Sequence, residues 1–185
     1  LLLSGYFGMA EIGFFNMGIT IGFRPINLLS SSLDQVISQS MAERVNKQEP
    51  IWNSLYQSVR KLFIFALPAF IVLFFLVPYI VKFFLGEQWD QSALYIQIMI
   101  PWFLFALFAA SLSSVPSIFG KQRTSLIIEF ILIILRIIAL CIGIYLNSFV
   151  WAIIMFSFVS TIVVVVQLTW FLLLVRNYEH SLKNI

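Results

Sequence analysis

A stripe of polar side chains along one apolar segment is the feature of this chain most able to do chemistry. Arg24 stands at its middle, and the residues that share its helical face are Asn16, Thr20, Asn27, Ser31, Asp34 and Ser38. At about 100° per residue, these positions fall within an arc of roughly 80°. A charge near the centre of a bilayer costs about 2.5–3.5 kcal/mol, so such a residue faces a bundle interior or a water-filled cavity. The stripe therefore predicts a polar path through a membrane.

A second pair of charges lies further along the chain. Glu129 and Arg136 are seven residues apart, so a helix places them on one face, about 10 Å from each other along its axis. They cannot bond each other in a straight helix, and each needs water or a partner on another helix. Arg24 with Glu129, and Arg136 with Asp34, are the cross-helix pairs we expect. Asp34 and Glu129 are thus candidates for ion coupling or a salt bridge; the alternative for the pair in the fourth span is an ion pair that only holds the bundle together.

The elements that must position these residues are membrane helices. The 185-residue chain is 61% hydrophobic and 10% charged, with a mean hydropathy of +1.00, whereas soluble domains carry about 25% charge. Apolar runs of the required 20 or so residues occur at about 12–41, 55–85, 94–119, 126–146 and 149–175. We expect an all-α polytopic membrane bundle of about five transmembrane helices in a single lobe. Residues 1–3 are interpreted as the end of a preceding span, and we expect the chain to be a fragment, one lobe of a larger, two-lobed transporter.

Prolines should shape three of these helices. Pro25 directly follows Arg24 and should bend the first span, because it removes a backbone donor. Pro68, Pro78, Pro101 and Pro116 should bend or interrupt the second and third spans. A bent helix with a polar inner stripe is suited to lining a transport cavity.

The positions of Lys and Arg predict the orientation of the helices, because cytoplasmic loops accumulate them. Nearly all cations that flank the spans fall on the side of residues 42–54, 120–125 and 176–185, and the other side receives only Lys82. We therefore place those three segments in the cytoplasm. The net charge of +3 follows from this topology and needs no nucleic-acid partner, while contact with anionic membrane lipid agrees with it.

Catalysis and metal binding find little support in the sequence. The single histidine, His180, lies in the tail, no Ser, Cys or carboxylate has a base beside it at motif spacing, and no Gly-rich phosphate loop occurs. Cys141 is the only cysteine, so neither a disulfide nor a cysteine-based metal cluster can form within the chain. We expect no enzyme activity, no metal site and no cofactor.

Several short motifs carry a family resemblance over nearly the whole chain. The run Gly-Tyr-Phe-Gly-Met-Ala-Glu-Ile-Gly-Phe-Phe-Asn-Met-Gly at 5–18 precedes Pro25 and the Leu-Asp-Gln-Val of 33–36. Phe-Leu-Gly-Glu-Gln-Trp at 84–89 and Phe-Gly-Lys-Gln-Arg at 119–123 follow two later spans. In this order they resemble the polysaccharide flippases of bacterial O-antigen and capsule synthesis, in the multidrug/oligosaccharidyl-lipid/polysaccharide exporter superfamily. In that family the basic residue of the long helix usually falls one turn earlier, where this chain has Thr20.

The resemblance implies the carboxy-terminal lobe of a larger transporter of the cell inner membrane. It implies translocation of undecaprenyl-pyrophosphate-linked oligosaccharide repeat units by alternating access, for O-antigen of lipopolysaccharide, capsule or exopolysaccharide synthesis. The implied partners are that lipid-linked substrate, the amino-terminal lobe of the same protein and the polysaccharide polymerase machinery.

On this interpretation Arg24 and Arg136 attract the pyrophosphate. The side chains that offer hydrogen bonds to sugar hydroxyls are Asn16, Thr20, Asn27 and Ser31. Two alternatives remain open from the residues. In an ion-coupled drug or cation antiporter of the same superfamily, Asp34 or Glu129 would carry protons or sodium. In a non-transporting membrane scaffold, the intramembrane charges would pair off and no cavity would open.

Overall fold

The computed structural model describes residues 6–183, and nearly all of them are helical. In chain order the helices are α1 (Met9–Asn46), α2 (Trp52–Leu85), α3 (Asp90–Ala110), α4 (Val115–Ile118), α5 (Gln122–Tyr145) and α6 (Phe149–Lys183). A 3-10 turn, Glu87–Trp89, leads into α3. Within the described residues there is no strand, so the predicted all-α class is confirmed. The interpretation of residues 1–3 as the end of another span concerns positions outside the described part of the chain.

Four segments are long and apolar enough to cross a membrane. They are Trp52–Leu85, Glu87–Ile118, Gln122–Tyr145 and Phe149–Leu182. These segments contain or closely match the last four predicted spans, at about 55–85, 94–119, 126–146 and 149–175. The chain is therefore a multi-pass membrane protein.

The predicted first span, 12–41, lies within α1 but is not among those four. Helix α1 has 38 residues, so at about 1.5 Å per residue it is much longer than the roughly 30 Å hydrocarbon layer requires. Its polar stripe and Arg24 lower its hydropathy below that of the other long helices. Length alone thus allows α1 to cross the bilayer, but it must do so with a polar face turned away from lipid.

The prolines have different effects along the chain. Helices α1, α2 and α3 each continue through their internal prolines as single helices. At Pro116 the third predicted span is interrupted instead: α3 ends at Ala110, and the short α4 begins at Val115 with the proline in its first turn. The predicted interruption is confirmed at this proline, which suits the first turn of a helix because it needs no backbone donor there.

Helix α3 is the centre of the bundle. It packs against α1, α2 and α6, while α5 packs against α6. Its largest buried side chains include Tyr95, Met99, Trp102 and Phe103. Consequently α1 and α5 stand on either side of a floor made by α3 and α6.

Two glycines allow close helix contacts. A Cβ at Gly22 of α1 would overlap the ring of Phe103 in α3, and a Cβ at Gly143 of α5 would overlap Ala152 of α6. Small residues at such positions let membrane helices approach until their backbones nearly touch. These two contacts fix how closely α1 and α5 approach the floor.

The outer faces of α2 and α5 are apolar and exposed. Phe75, Phe83 and Phe84 project from α2, and Leu126 and Phe130 from α5, each with at least 65% of its surface free. Apolar side chains outside the packed interior suit contact with lipid.

Candidate functional site

A cavity of about 300 Å³ opens in the groove between α1 and α5, above the floor of α3 and α6. Phe23 borders it from α1, Trp102 lies on its floor, and α5 contributes Glu129 and Arg136. Its other polar side chains are Ser113, Ser125 and Gln167. The rest of the lining is apolar. Arg136 is half-buried, whereas Glu129 is exposed in the groove.

Arg136 is half-buried on the wall of this cavity. Its Nε donates a 2.9 Å hydrogen bond to Ser160 Oγ of α6. The guanidinium carbon lies 5.2 Å from the ring centroid of Trp102 and 5.6 Å from that of Phe156, which are distances for cation–π attraction. A guanidinium carries five N–H donors, and only Nε–H is used by another described residue. The terminal N–H groups are therefore available to an anion.

Glu129 has a neutral partner. Gln167 of α6, itself buried, donates a 2.8 Å hydrogen bond through Nε2 to Glu129 Oε1. Glu129 and Arg136 do not form an ion pair with each other, as their spacing predicts. The expected pairs of Arg24 with Glu129 and of Arg136 with Asp34 are wrong: among residues 6–182 the ion pairs are Lys47–Glu43 and Lys82–Glu87. Asp34, Glu129 and Arg136 are held by neutral groups instead.

The indole of Trp102 adds an unused donor beside the cavity. Trp102 is 5% exposed, and its Nε1 is buried without a hydrogen-bond acceptor in the described part of the chain. A buried indole N–H usually finds a partner. Trp102 was not predicted as a site residue, because a tryptophan in an apolar run gives no sequence signal of a missing acceptor.

The polar stripe of α1 is exposed and borders the groove. Asn16, Thr20, Arg24, Asn27 and Ser31 are all exposed. Phe23, at the cavity, lies about 40° from Asn27 and about 20° from Asn16 around the helix, so the stripe begins where the cavity ends. The hydroxyl groups of the stripe bond within α1 and not to other helices: Thr20 donates to Asn16 O at 2.8 Å and Ser31 to Leu28 O at 3.1 Å.

Arg24 and Arg136 are not brought into one cavity. Arg136 lines the cavity, while Arg24 lies on the far side of the stripe, without a hydrogen bond or ion pair to another described residue. They do lie at a similar depth. Phe23, the neighbour of Arg24, contacts Trp102 with ring centroids 4.9 Å apart, and Arg136 stands over that same Trp102 ring.

Asp34 lies away from the cavity, and both of its carboxylate oxygens accept a hydrogen bond. Its Oδ1 accepts from the backbone N–H of Ser114 at 3.1 Å, and its Oδ2 accepts from the Ser114 hydroxyl at 2.5 Å. Ser114 is the residue before α4, in the break that follows α3. Asp34 thus ties α1 to this break, whereas Glu129 is the carboxylate that lines the cavity.

The spacing of residues along the sequence indicates the hydrogen-bond partners of Glu129 and Arg136. Ser160 and Gln167 are seven residues apart on α6, the same spacing as Glu129 and Arg136 on α5. Because α5 and α6 are joined by a short turn, 146–148, and run antiparallel, Arg136 meets Ser160 and Glu129 meets Gln167. The matched spacing on two consecutive spans could have predicted these contacts, although Ser160 and Gln167 were not among the predicted partners.

Comparisons with known proteins give one result. A family model described as polysaccharide biosynthesis protein matches residues 1–94, just over half of the chain. This region contains α1 with its polar stripe and all of α2. No curated protein and no solved structure matches the chain.

Proposed function

The chain belongs to the polysaccharide biosynthesis protein family, and we propose that it forms one lobe of a flippase for lipid-linked oligosaccharide. The family and the membrane-spanning helices establish a membrane protein of polysaccharide synthesis or export. In the proposal, undecaprenyl-pyrophosphate-linked repeat units cross the cytoplasmic membrane by alternating access of this lobe and a second one. The observation that carries it is the groove between α1 and α5, in which Arg136 keeps unused donors.

The polar groups of such a substrate need protein groups that replace water while it crosses the membrane. A pyrophosphate and a set of sugar hydroxyls cannot enter hydrocarbon unaided, because each polar group without a partner costs several kcal/mol, of the order of 2–7 kcal/mol for a hydroxyl. Guanidinium groups bind phosphate oxygens in pairs and keep their charge in apolar surroundings. Arg136 offers its terminal N–H groups in the cavity, and Arg24 offers an unpaired guanidinium at the same depth.

The stripe supplies groups for the sugar. Asn16 and Asn27 present exposed amides, which both donate and accept hydrogen bonds. Thr20 and Ser31 use their donors within α1, so they offer acceptor lone pairs to sugar hydroxyls. In the proposed complex the glycan moves along this face, while the polyprenyl chain stays in the bilayer.

The chemistry proposed is transport, with no catalytic step. The protein would lie in the cell inner membrane with 42–54, 120–125 and 176–185 on the cytoplasmic side, as the distribution of Lys and Arg favours. The proposed partners are the lipid-linked oligosaccharide, membrane lipid, a second lobe and the polysaccharide polymerase machinery.

Glu129 favours one other function, an ion-coupled drug or cation antiporter. Its carboxylate lines the cavity and has only a neutral amide as partner, which suits a residue that exchanges protons or sodium. The scaffold alternative expects paired charges and a closed bundle. Arg24, Glu129 and Arg136 are in no ion pair with a described residue, and this counts against it.

The test is genetic complementation with the full-length protein. In a strain lacking its gene, the unaltered protein should restore surface polysaccharide, and Arg24→Ala should lower the transport rate about tenfold or more, as expected for a lost charge-assisted contact. Arg123→Ala, which removes a cation next to the start of α5, is the matched control and should transport normally. Normal export by a well-inserted Arg24→Ala protein would contradict the role of Arg24. Restored drug resistance without restored polysaccharide would favour the antiporter.

A further inference from the structure

A second groove runs between α1 and α2, on the side of α1 away from the cavity. It consists of two adjoining cavities that share Val36, Ile37 and Ser58, one of about 120 Å³ and one of about 340 Å³. We call it the α1–α2 groove. From Arg44 at one end to Leu33 at the other it follows α1 for 11 residues, or about 16 Å.

One end of the α1–α2 groove is polar. The smaller cavity is lined by Arg44 and by the hydroxyl residues Ser40, Ser54 and Ser58. Neither Ser40 nor Ser54 donates a side-chain hydrogen bond to another described residue, whereas Ser58 donates to Ser54 O at 3.0 Å. Hydroxyl donors beside a guanidinium suit the oxygens of a phosphate group.

The other end is apolar. Leu33, Leu62, Phe65 and Phe108 line the larger cavity together with Lys61. The rim is open: Val36 has 70% and Phe65 76% of its surface exposed. An open apolar channel beside a membrane-spanning helix suits an acyl chain, which enters sideways from the bilayer.

The charges in the groove are of one sign. Arg44 and Lys61 line it, and no carboxylate does. The nearest acidic residue in sequence, Glu43, forms an ion pair with Lys47 at 2.6 Å. This end of α1 also lies on the membrane face that the Lys and Arg distribution predicts to be cytoplasmic, where anionic lipids attract basic residues.

We propose that the α1–α2 groove binds one anionic phospholipid of the surrounding leaflet. The phosphate lies between Arg44, Lys61 and the hydroxyls of Ser40 and Ser54, and an acyl chain lies along Leu62 and Phe65. The site is separate from the cavity between α1 and α5 and does not depend on what that cavity transports.

Native mass spectrometry of the delipidated full-length protein tests the proposal. The protein is titrated with phosphatidylglycerol and, separately, with phosphatidylcholine of the same acyl chains. We expect tighter binding of phosphatidylglycerol. The double variant Arg44→Gln, Lys61→Gln should bind it about 25-fold more weakly, since each basic residue near an anionic surface is worth about fivefold. Ser54→Phe, which fills the polar end without changing the charge, should also weaken it.

The matched control removes two cations of the same membrane face that lie outside the groove, in the double variant Arg123→Gln, Arg176→Gln. It should bind phosphatidylglycerol like the unaltered protein. Glycerol 3-phosphate, which has the headgroup chemistry without acyl chains, should not displace the lipid. Equal binding of the two lipids, an equal loss in the control, or displacement by glycerol 3-phosphate would each overturn the proposal. Polysaccharide export is a separate readout, so either proposal can fail alone.

Discussion

Gln97 of α3 donates a 2.8 Å hydrogen bond through Nε2 to the backbone carbonyl oxygen of Phe74 in α2. That oxygen lies four residues before Pro78, which has no N–H and therefore cannot donate the usual helical hydrogen bond to it. The side chain of one membrane helix thus replaces a backbone donor missing from its neighbour. Such replacement is what allows proline inside membrane helices.

The first prediction concerns this contact. Gln97→Leu should destabilise the full-length protein by about 0.6–2 kcal/mol, the range found for hydrogen bonds between membrane helices. The measurement is the midpoint of unfolding when SDS is added to protein in a mild detergent. In a Pro78→Ala background Phe74 O regains its backbone donor, so Gln97→Leu should cost less there.

Gln57→Leu is the control for that experiment. Gln57 is exposed on α2 and makes no side-chain hydrogen bond to another described residue, so its replacement should leave the midpoint within about 0.5 kcal/mol of the original. An equal cost of Gln97→Leu with and without Pro78 would show that the amide acts by packing and not by satisfying Phe74 O.

Hydropathy predicted the extents of α2 and α5 closely, and it could not predict which helices pack together. The second span was expected at 55–85, and α2 is Trp52–Leu85; the fourth was expected at 126–146, and α5 is Gln122–Tyr145. Starts differ by three or four residues because the first turn of each helix is polar and lies outside the apolar run. Which helix meets which depends on contacts such as Gly22 with Phe103, and a single sequence does not reveal them.

The second prediction separates function from stability at Arg136. Because its charge has no acidic partner within the described residues and a charge in the bilayer costs about 2.5–3.5 kcal/mol, Arg136→Leu should leave the unfolding midpoint unchanged or raise it. The same variant should lose polysaccharide export. Ser160→Ala should reduce export less, because it removes only the contact that orients Nε.

The control variant is Ile137→Leu, which alters an exposed apolar residue next to Arg136 on α5. It should change neither the unfolding midpoint nor polysaccharide export. A large loss of stability in Arg136→Leu would show that the arginine holds α5 on α6, and would support a structural role for this charge.

Helical spacing predicted which charges of α5 share a face, and charge pairing did not predict their partners. Helical spacing alone places Glu129 and Arg136 on one face, and both line one cavity. The pairing of opposite charges across helices was wrong. Neutral residues of α6 hold Glu129 and Arg136, and Ser114 holds Asp34.

Asp34 and Glu129 differ in what their carboxylates contact, and the third prediction uses that difference. Asp34 accepts two hydrogen bonds from Ser114, and an amide oxygen can still accept the backbone one. Asp34→Asn should therefore export polysaccharide almost normally, whereas Asp34→Ala leaves the Ser114 N–H without a partner and should cost about 1–3 kcal/mol of stability. Among the described residues Glu129 is the only carboxylate that lines the cavity, and Glu129→Gln removes it. If transport needs a proton or sodium there, this variant should insert normally and fail to export, while Asp34→Asn exports. Inactive but stable Asp34→Asn protein would contradict this assignment, and would move the ion-coupling role from α5 to α1.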